Sequence, residues 1–121
     1  MTVPILKLGD VLLTSLQTEM TDDEAVEFQR EILARLVATE AKGAVIDITA
    51  MDLVDSYLAR VINDTANMAG LIGVQVVLCG MQPAVALTLT EMGRGLIGVT
   101  TALDLEQGLQ KLRAKIAEQH W

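Results

Sequence analysis

The stretch AVIDITAMDLVDS, residues 44–56, decides the fold that this chain is expected to adopt. Its first five residues form a short apolar run, which predicts a central β-strand over 44–48 that is covered on both faces. We expect a loop over 49–55 and a helix that begins near Ser56. A strand that passes through a loop into a helix is the repeating unit of α/β folds, so this stretch predicts an α/β domain.

The segments before this stretch predict a hairpin and a helix. Apolar runs at 5–8 and 11–13 are separated by a Gly-Asp pair, which is typical of a tight β-hairpin. Thr21, with Glu24 three residues later, matches the capping box that opens a helix. We expect Gly43 to end that helix. Its apolar stripe recurs at helical spacing in Ala25, Phe28, Ile32 and Leu36.

The segments after the stretch continue the alternation of strands and helices. An apolar run at 74–79 predicts another strand, and Pro83 suits the first position of a third helix. We expect a short edge strand at 99–101 and a final helix that Asp104 caps. The second helix should run to about Leu71 with the stripe Leu58, Ile62, Thr65, Ala69 and Ile72. The stripe of the final helix is Leu105, Leu109, Leu112 and Ile116.

Together these elements predict the order β-β-α-β-α-β-α-β-α in one domain that fills residues 1–121. The expected fold class is α/β. It has a mixed but mostly parallel sheet of about four or five strands and about four helices, because strands that alternate with helices pair through parallel crossovers.

Composition and charge exclude several classes of binding partner. The chain has a formal net charge of −7 and no basic stripe, which argues against nucleic acid and against an anionic membrane surface. Its three aromatic residues are too few for a surface that stacks on bases. No apolar run approaches the ~20 residues that span a bilayer, and the first residues lack a signal-peptide pattern. We therefore expect a cytoplasmic chain that binds a protein or a small ligand.

Residue types that often carry catalysis or bind cofactors occur here in the wrong context. Residues 93–98 match GxGxxG, but a predicted helix precedes them and a strand follows, the reverse of a dinucleotide site. His120 is the single histidine, too few for a multi-histidine metal site. Cys79 is the single cysteine, and we expect a buried strand-end thiol in a reducing compartment. The chain is therefore expected to be no enzyme and to have no catalytic residue, metal or cofactor.

A hydroxyl beside carboxylates is the remaining candidate for a functional group. Either Ser56 or Asp55 can be the N-cap of the second helix. Ser56 can also be a phosphoacceptor, because the N–H groups and the dipole at a helix N-terminus favour an added anion. Asp47, Asp52 and Asp55 lie near the end of a central strand, where open α/β sheets bind ligands. A small ligand-binding or receiver-like domain therefore stays open.

Two segments of the sequence resemble the anti-anti-sigma factor or STAS family. The first is the strand 44–48 with its short loop and the pair Asp55-Ser56 that opens a helix. The second, residues 79–89, contains a Gly-x-x-Pro-x-x-Ala pattern that is similar to the stressosome branch of the family, the RsbR and RsbS proteins. Residues 57–60, Tyr-Leu-Ala-Arg, stand where many anti-anti-sigma factors have a Gly-Leu-Gly-like segment, and they also resemble that branch. A serine in the acceptor position resembles the RsbS type.

The resemblance implies a mechanism and a set of partners. An RsbS-like scaffold sequesters an RsbT-like serine/threonine kinase while unphosphorylated and releases it when phosphorylated. An RsbX-like phosphatase resets the scaffold, and RsbR-like STAS paralogues join it in homo- and hetero-oligomers. For this sequence the resemblance implies phosphorylation at Ser56 and partner binding by Asp55, Ser56, Tyr57 and Arg60. A conventional anti-anti-sigma factor that binds an anti-sigma kinase is the alternative.

Overall fold

A computed structural model of the chain describes residues 3–16, 20–52, 54–91 and 99–118. The described residues form five strands and four helices in the predicted order. The strands are β1 (Ile5–Leu8), β2 (Val11–Ser15), β3 (Gly43–Asp47), β4 (Gln75–Cys79) and β5 (Thr100–Ala102). The helices are α1 (Asp22–Ala38), α2 (Ser56–Leu71), α3 (Pro83–Glu91) and α4 (Leu105–Glu118). No helix in this part of the chain is long and apolar enough to cross a membrane.

The five strands form one mixed sheet in the order β1-β2-β3-β4-β5. Strands β1 and β2 are an antiparallel hairpin around Gly9, whose φ of +62° is the left-handed conformation that such a turn requires. The other three strand pairs are parallel, with Leu13 beside Val45 and Val45 beside Val77. The predicted fold class, α/β with a mixed and mostly parallel sheet, is confirmed.

Both faces of the sheet are covered, because alternate residues of a strand point to opposite faces. On one face Ala44 and Ile46 join a large core with buried side chains from α1, α2 and α3. On the other face Val45 and Val77 pack against Leu112 of α4. Strand β3 is therefore buried on both sides, as the apolar stretch predicts.

Helix α1 begins as predicted but ends earlier. The backbone N–H of Glu24 donates to Thr21 Oγ1 at 3.1 Å, and the N–H of Thr21 donates to Glu24 Oε1 at 2.9 Å. The helix ends at Ala38, so the prediction that Gly43 ends it is wrong. Gly43 opens β3 instead, where a Cβ atom would lie 2.5 Å from Leu112 Cδ1. The glycine is needed there because α4 approaches the strand closely.

Two residues that were predicted to lie in buried stripes are exposed. Ile72 is 51% exposed because α2 ends at Leu71 and Ile72 is its C-cap. Leu105 is 39% exposed because it is the first residue of α4. Helical spacing fixes the direction of a side chain, but it does not fix the point at which the helix ends or leaves the sheet. The other stripe residues are buried, apart from the half-buried Leu109: Leu58, Ile62, Thr65, Ala69, Leu112 and Ile116.

Candidate functional site

The β3–α2 loop, residues 48–55, leads from the central strand to the start of α2, and residue 53 lies outside the described residues. The N–H of Ile48 donates to the carbonyl of Cys79 on β4 at 2.9 Å, and the N–H of Met51 closes a turn onto the carbonyl of Ile48 at 3.0 Å. The side chains of Ile48, Met51 and Val54 are buried in the core. These anchors hold the loop against the sheet, so the first turn of α2 has a defined position.

Asp55 is the N-cap of α2. Its side chain Oδ1 accepts a hydrogen bond from the N–H of Leu58 at 2.8 Å, and its carbonyl accepts from the N–H of Ala59 at 3.0 Å. The backbone of Asp55 is extended, with φ −85° and ψ 174°, as an N-cap residue requires. Of the two candidate caps in the sequence, the structure selects Asp55, and the hydroxyl of Ser56 is not used for capping.

Ser56 is the first residue of α2, and its side chain is exposed. It makes no side-chain hydrogen bond with any residue that the structure describes. Its position in the first turn places it beside backbone N–H groups that have no partner within the helix. A phosphate attached to this hydroxyl would therefore face solvent and the positive end of the helix dipole.

The other predicted partner-binding residues lie next to Ser56. Asp55 and Arg60 are exposed, and the ring of Tyr57 is 40% exposed. Residues four apart on a helix are neighbours, so Arg60 lies one turn beyond Ser56 on the same side of α2. Arg60 forms no ion pair with the described part of the chain. The structure thus brings the four predicted residues together on one accessible surface.

A second segment, which the sequence reasoning did not connect with the site, contacts the β3–α2 loop. This is the β4–α3 turn, residues 80–82. The side chain Nε2 of Gln82 donates to the carbonyl oxygen of Thr49 at 2.6 Å. Gly80 has a φ of +78°, and a Cβ atom at this position would overlap Thr49 Oγ1. The Gly-x-x-Pro pattern was the available signal, because a glycine beside a turn permits a positive φ and a close approach of another segment.

Cys79 is buried at the end of β4, as predicted. Burial raises the pKa of its thiol to about 11, and the negative charges of Asp47 and Asp104 add to the shift. The thiol is therefore protonated at neutral pH and a poor nucleophile, because the thiolate is the reactive form.

The remaining candidate residues do not form a second site within the described residues. The side chain Oδ1 of Asp47 accepts hydrogen bonds from the N–H of Thr49 at 2.9 Å and from its hydroxyl at 2.5 Å. Asp52 is exposed. In the described ranges there is no group of three or more His, Cys, Asp and Glu side chains that could hold a metal ion. The GxGxxG segment at 93–98 and His120 lie outside the described residues.

The fold and the residues of the site agree with one protein family. Residues 3–107 match the STAS domain family, so the chain belongs to this family. The resemblance that the two sequence segments indicate is confirmed.

Two solved structures are similar to this chain over nearly its whole length. A structure of Moorella thermoacetica RsbS with a serine-to-glutamate substitution superposes with a TM-score of 0.85 at 42% identity, over 95% of this chain and 97% of that one. A chain in a structure of the stressosome, described as a signal integration and transduction hub, superposes with a TM-score of 0.82 at 42% identity. The match covers 93% of this chain and 97% of that one. The chain is thus similar to RsbS over nearly its whole length.

A longer relative matches the same region of this chain. The RsbT co-antagonist protein RsbRA of Bacillus subtilis (strain 168) is 28% identical over 88 residues, which are 73% of this chain. The matched region is 32% of RsbRA, so this chain spans about a third of the length of that relative.

Proposed function

We propose that this chain is a non-catalytic stressosome scaffold, which holds an RsbT-like serine/threonine kinase while Ser56 is unmodified and releases it when Ser56 is phosphorylated. One observation carries the proposal. The hydroxyl of Ser56 is exposed at the first position of α2, and Asp55 alone caps the helix. The 42% identity to RsbS over nearly the whole chain supports the same role. A stressosome component works in the cytoplasm, so we assign the chain to that compartment.

Phosphorylation of Ser56 changes the surface without breaking the fold. A phosphoserine carries about −1.5 to −2 charges near neutral pH. The first turn of α2 tolerates these charges, because its free N–H groups and the helix dipole favour an anion. Asp52 and Asp55 are exposed nearby, so the phosphate makes an acidic surface more acidic. A kinase that docks on the neutral hydroxyl must then desolvate a dianion or dissociate.

The kinase-binding surface consists of Asp55, Ser56, Tyr57 and Arg60. The half-exposed ring of Tyr57 supplies apolar contact area, and aromatic residues and arginine are enriched in interface hot spots. The guanidinium of Arg60 is unpaired within the described residues and can bind a carboxylate of the partner. The exposure of Ser56 also gives access to an RsbX-like phosphatase, which resets the scaffold.

Co-assembly with RsbR-like paralogues and with further copies of this chain uses the part of the sheet that α4 leaves uncovered. There an apolar groove of about 200 Å³ lies beside β1 and β2, lined by Pro4, Leu6, Leu13, Thr14, Ser15, Asp47 and Leu105. Leu6 is 64% exposed and Leu8 is 46% exposed on this strand pair. A second STAS domain that covers the groove would remove this apolar surface from water. The similarity to a stressosome chain supports that occupant.

Two measurements test the proposal. Peptide mapping by mass spectrometry, after incubation with an RsbT-like kinase and Mg-ATP, should locate the phosphate on Ser56, and the Ser56→Ala variant should stay unlabelled. Titration calorimetry should then give at least a tenfold weaker kinase affinity for the phosphorylated chain, which corresponds to about 1.4 kcal/mol. Circular dichroism checks that both forms are folded. Undiminished labelling of Ser56→Ala, or equal affinities for the two folded forms, contradicts the proposal.

A further inference from the structure

The β4–α3 turn contacts the β3–α2 loop at one backbone group. The side chain of Gln82 donates from Nε2 to the carbonyl oxygen of Thr49 at 2.6 Å, across 33 residues of sequence. Gln82 is half-buried and directly precedes α3. The turn itself is attached to the sheet, because the N–H of Gly80 donates to the carbonyl of Ala102 on β5 at 3.2 Å. Gln82 therefore links the loop to a part of the chain that the sheet holds in place.

Thr49 is fixed from three directions. Its N–H and its hydroxyl both donate to Asp47 Oδ1, at 2.9 Å and 2.5 Å. These two bonds hold the amide nitrogen and the side chain of Thr49 at the end of β3. Its carbonyl accepts from Gln82. Its side chain lies where Gly80 has no Cβ atom, so the two segments touch directly. Of these contacts of Thr49, the one with Gln82 is made by the carbonyl oxygen, on the side of the residue that leads toward Met51 and the start of α2.

The path from Thr49 to Ser56 is short, and a turn and two buried side chains anchor it. The turn from Ile48 to Met51 is closed by one backbone hydrogen bond of 3.0 Å. After it the chain is anchored by the buried side chains of Met51 and Val54. Among the described residues the side chain of Gln82 donates to Thr49 and not to Ser56 or Asp55, so any effect on them passes through the loop. The Thr49 peptide therefore stands at the start of the segment that leads to Ser56.

We propose that Gln82 is a positioning residue, whose side-chain amide holds the β3–α2 loop in the conformation that presents Ser56 to the kinase. The inference rests on the proposed function of Ser56 as the phosphoacceptor. It assigns to the Gly-x-x-Pro segment a role in the phosphorylation reaction. This role belongs to the N–H donor of the Gln82 amide and not to a contact of Gln82 with the kinase.

The Gln82→Glu variant tests the role of the donor group. A glutamate has the same shape, but its carboxylate cannot donate to the carbonyl of Thr49. At neutral pH we expect hydrogen exchange of the loop amides to become about fivefold faster than in the wild type. A factor of this size corresponds to the net free energy of one ordinary hydrogen bond. Below the ordinary pKa of a glutamate, about 4.3, the protonated carboxyl can donate, and the protection should return. Asp47, the titratable group that contacts Thr49, is present in both proteins, so the wild type at each pH is the reference.

Two further variants act as controls. Gln82→Met has a similar length and no donor, so it should lose protection at every pH. Gln110→Glu adds the same charge on the exposed side of α4 and should leave the loop amides unchanged at every pH. Circular dichroism establishes that each variant is folded. Wild-type protection of the loop in folded Gln82→Glu at neutral pH, or an absence of recovery at low pH, overturns the inference.

Phosphorylation kinetics give the functional readout. With an RsbT-like kinase and Mg-ATP, Gln82→Glu should lower kcat about fivefold and leave KM unchanged, because the docking surface is intact and only the presentation of Ser56 is altered. A rise in KM alone would make Gln82 a docking contact and overturn the positioning role. If the wild-type chain is not phosphorylated on Ser56, the proposed function fails by that result, while the exchange experiment still decides whether Gln82 holds the loop.

Discussion

At the scale of the residue, the start of α2 divides two tasks between neighbouring side chains. Asp55 accepts the hydrogen bond that a helix N-terminus needs, and Ser56 makes no hydrogen bond through its hydroxyl to the described residues. A serine that also capped the helix would lose its capping bond when phosphorylated. The division therefore allows the hydroxyl to be modified while the helix keeps its cap.

This division predicts different stabilities for two alanine variants. We expect Asp55→Ala to lower the free energy of unfolding by about 1 kcal/mol, because a capping hydrogen bond is lost. Ser56→Ala should change it by less than about 0.5 kcal/mol, as for an exposed side chain without partners. Urea unfolding at pH 7, followed by circular dichroism, measures both values. Equal losses in the two variants would show that Ser56 shares the capping role.

Cys79 predicts how stability depends on pH in alkaline solution. Burial raises the pKa of its thiol to about 11 in the folded chain, whereas an unfolded cysteine titrates near its ordinary value of about 8.5. Between these two pKa values the folded state binds more protons than the unfolded state. The contribution of Cys79 to stability is therefore complete below about pH 8.5 and is lost as pH rises toward 11.

Urea unfolding of the wild type and of Cys79→Ala at pH 8 and pH 10 isolates this contribution. Other groups titrate in both proteins, so the difference between them reports the thiol. We expect the wild type to lose more stability than the variant between the two pH values. The same loss in both proteins would mean that the thiol titrates normally in the folded chain.

At the scale of the element, the short distance between α4 and β3 depends on a glycine, Gly43, in the strand. Gly43 has no Cβ atom, and one built there would lie 2.5 Å from Leu112 Cδ1 and 3.1 Å from the carbonyl oxygen of Gln75. Leu112 is completely buried between α4 and the sheet. Because Leu112 is enclosed on all sides and the carbonyl oxygen of Gln75 is part of the sheet, added volume at this point must displace the Leu112 side chain or shift α4 or the strand.

Two glycine-to-alanine variants test this packing. Gly43→Ala should lower the free energy of unfolding by about 1–3 kcal/mol, the usual cost of overpacking a core. Gly70→Ala is the matched control, because Gly70 lies in α2 with no atom within 4 Å of a built Cβ. It should raise stability by about 0.5–1 kcal/mol through helix propensity. Thermal or urea unfolding gives the sign of the change in the free energy of unfolding for each variant. A neutral or stabilising effect of Gly43→Ala would refute the close approach of α4 to β3.

At the scale of the whole molecule, the helices cover the sheet unequally. Three helices contribute to the larger core, while α4 is the helix that packs on the opposite face. Leu13 is only half-buried on that face, and Leu6 beside it in the hairpin register is 64% exposed. A scaffold that assembles with other STAS domains needs apolar surface of this kind.

A pair of leucine variants tests the assembly surface. Leu6→Gln should weaken association with an RsbR-like paralogue about tenfold, because an apolar contact is replaced by a polar group. Leu71→Gln is the control, since Leu71 is 87% exposed at the end of α2 and does not line the groove. Light scattering of each variant, alone and with the paralogue, measures the molar mass of the assembly that forms. Equal association of the two variants would show that the interface does not include this groove. A monomer in every sample would contradict the proposed scaffold function.

Most of the fold follows from local patterns in the sequence. The capping box at Thr21, the hairpin at Gly9 and the N-terminus of α2 depend on residues within a few positions of each other, and all three are confirmed. The errors occur at helix ends, as for Ile72 and Leu105, and where distant elements meet. Glycine is common at helix ends, so the sequence favours Gly43 as the end of α1, but the residue that requires a glycine at this position is its neighbour in space, Leu112.

By itself, the sequence determined the alternation of strands and helices, the class of fold and the approximate start of α2 near Ser56, because periodicity and turn patterns are properties of short segments. Only the tertiary structure decided that Asp55 and not Ser56 is the cap, and that Gln82 reaches the carbonyl of Thr49. The latter two residues are 33 positions apart. Their distance depends on the parallel pairing of β3 with β4, which places both loops at the same edge of the sheet.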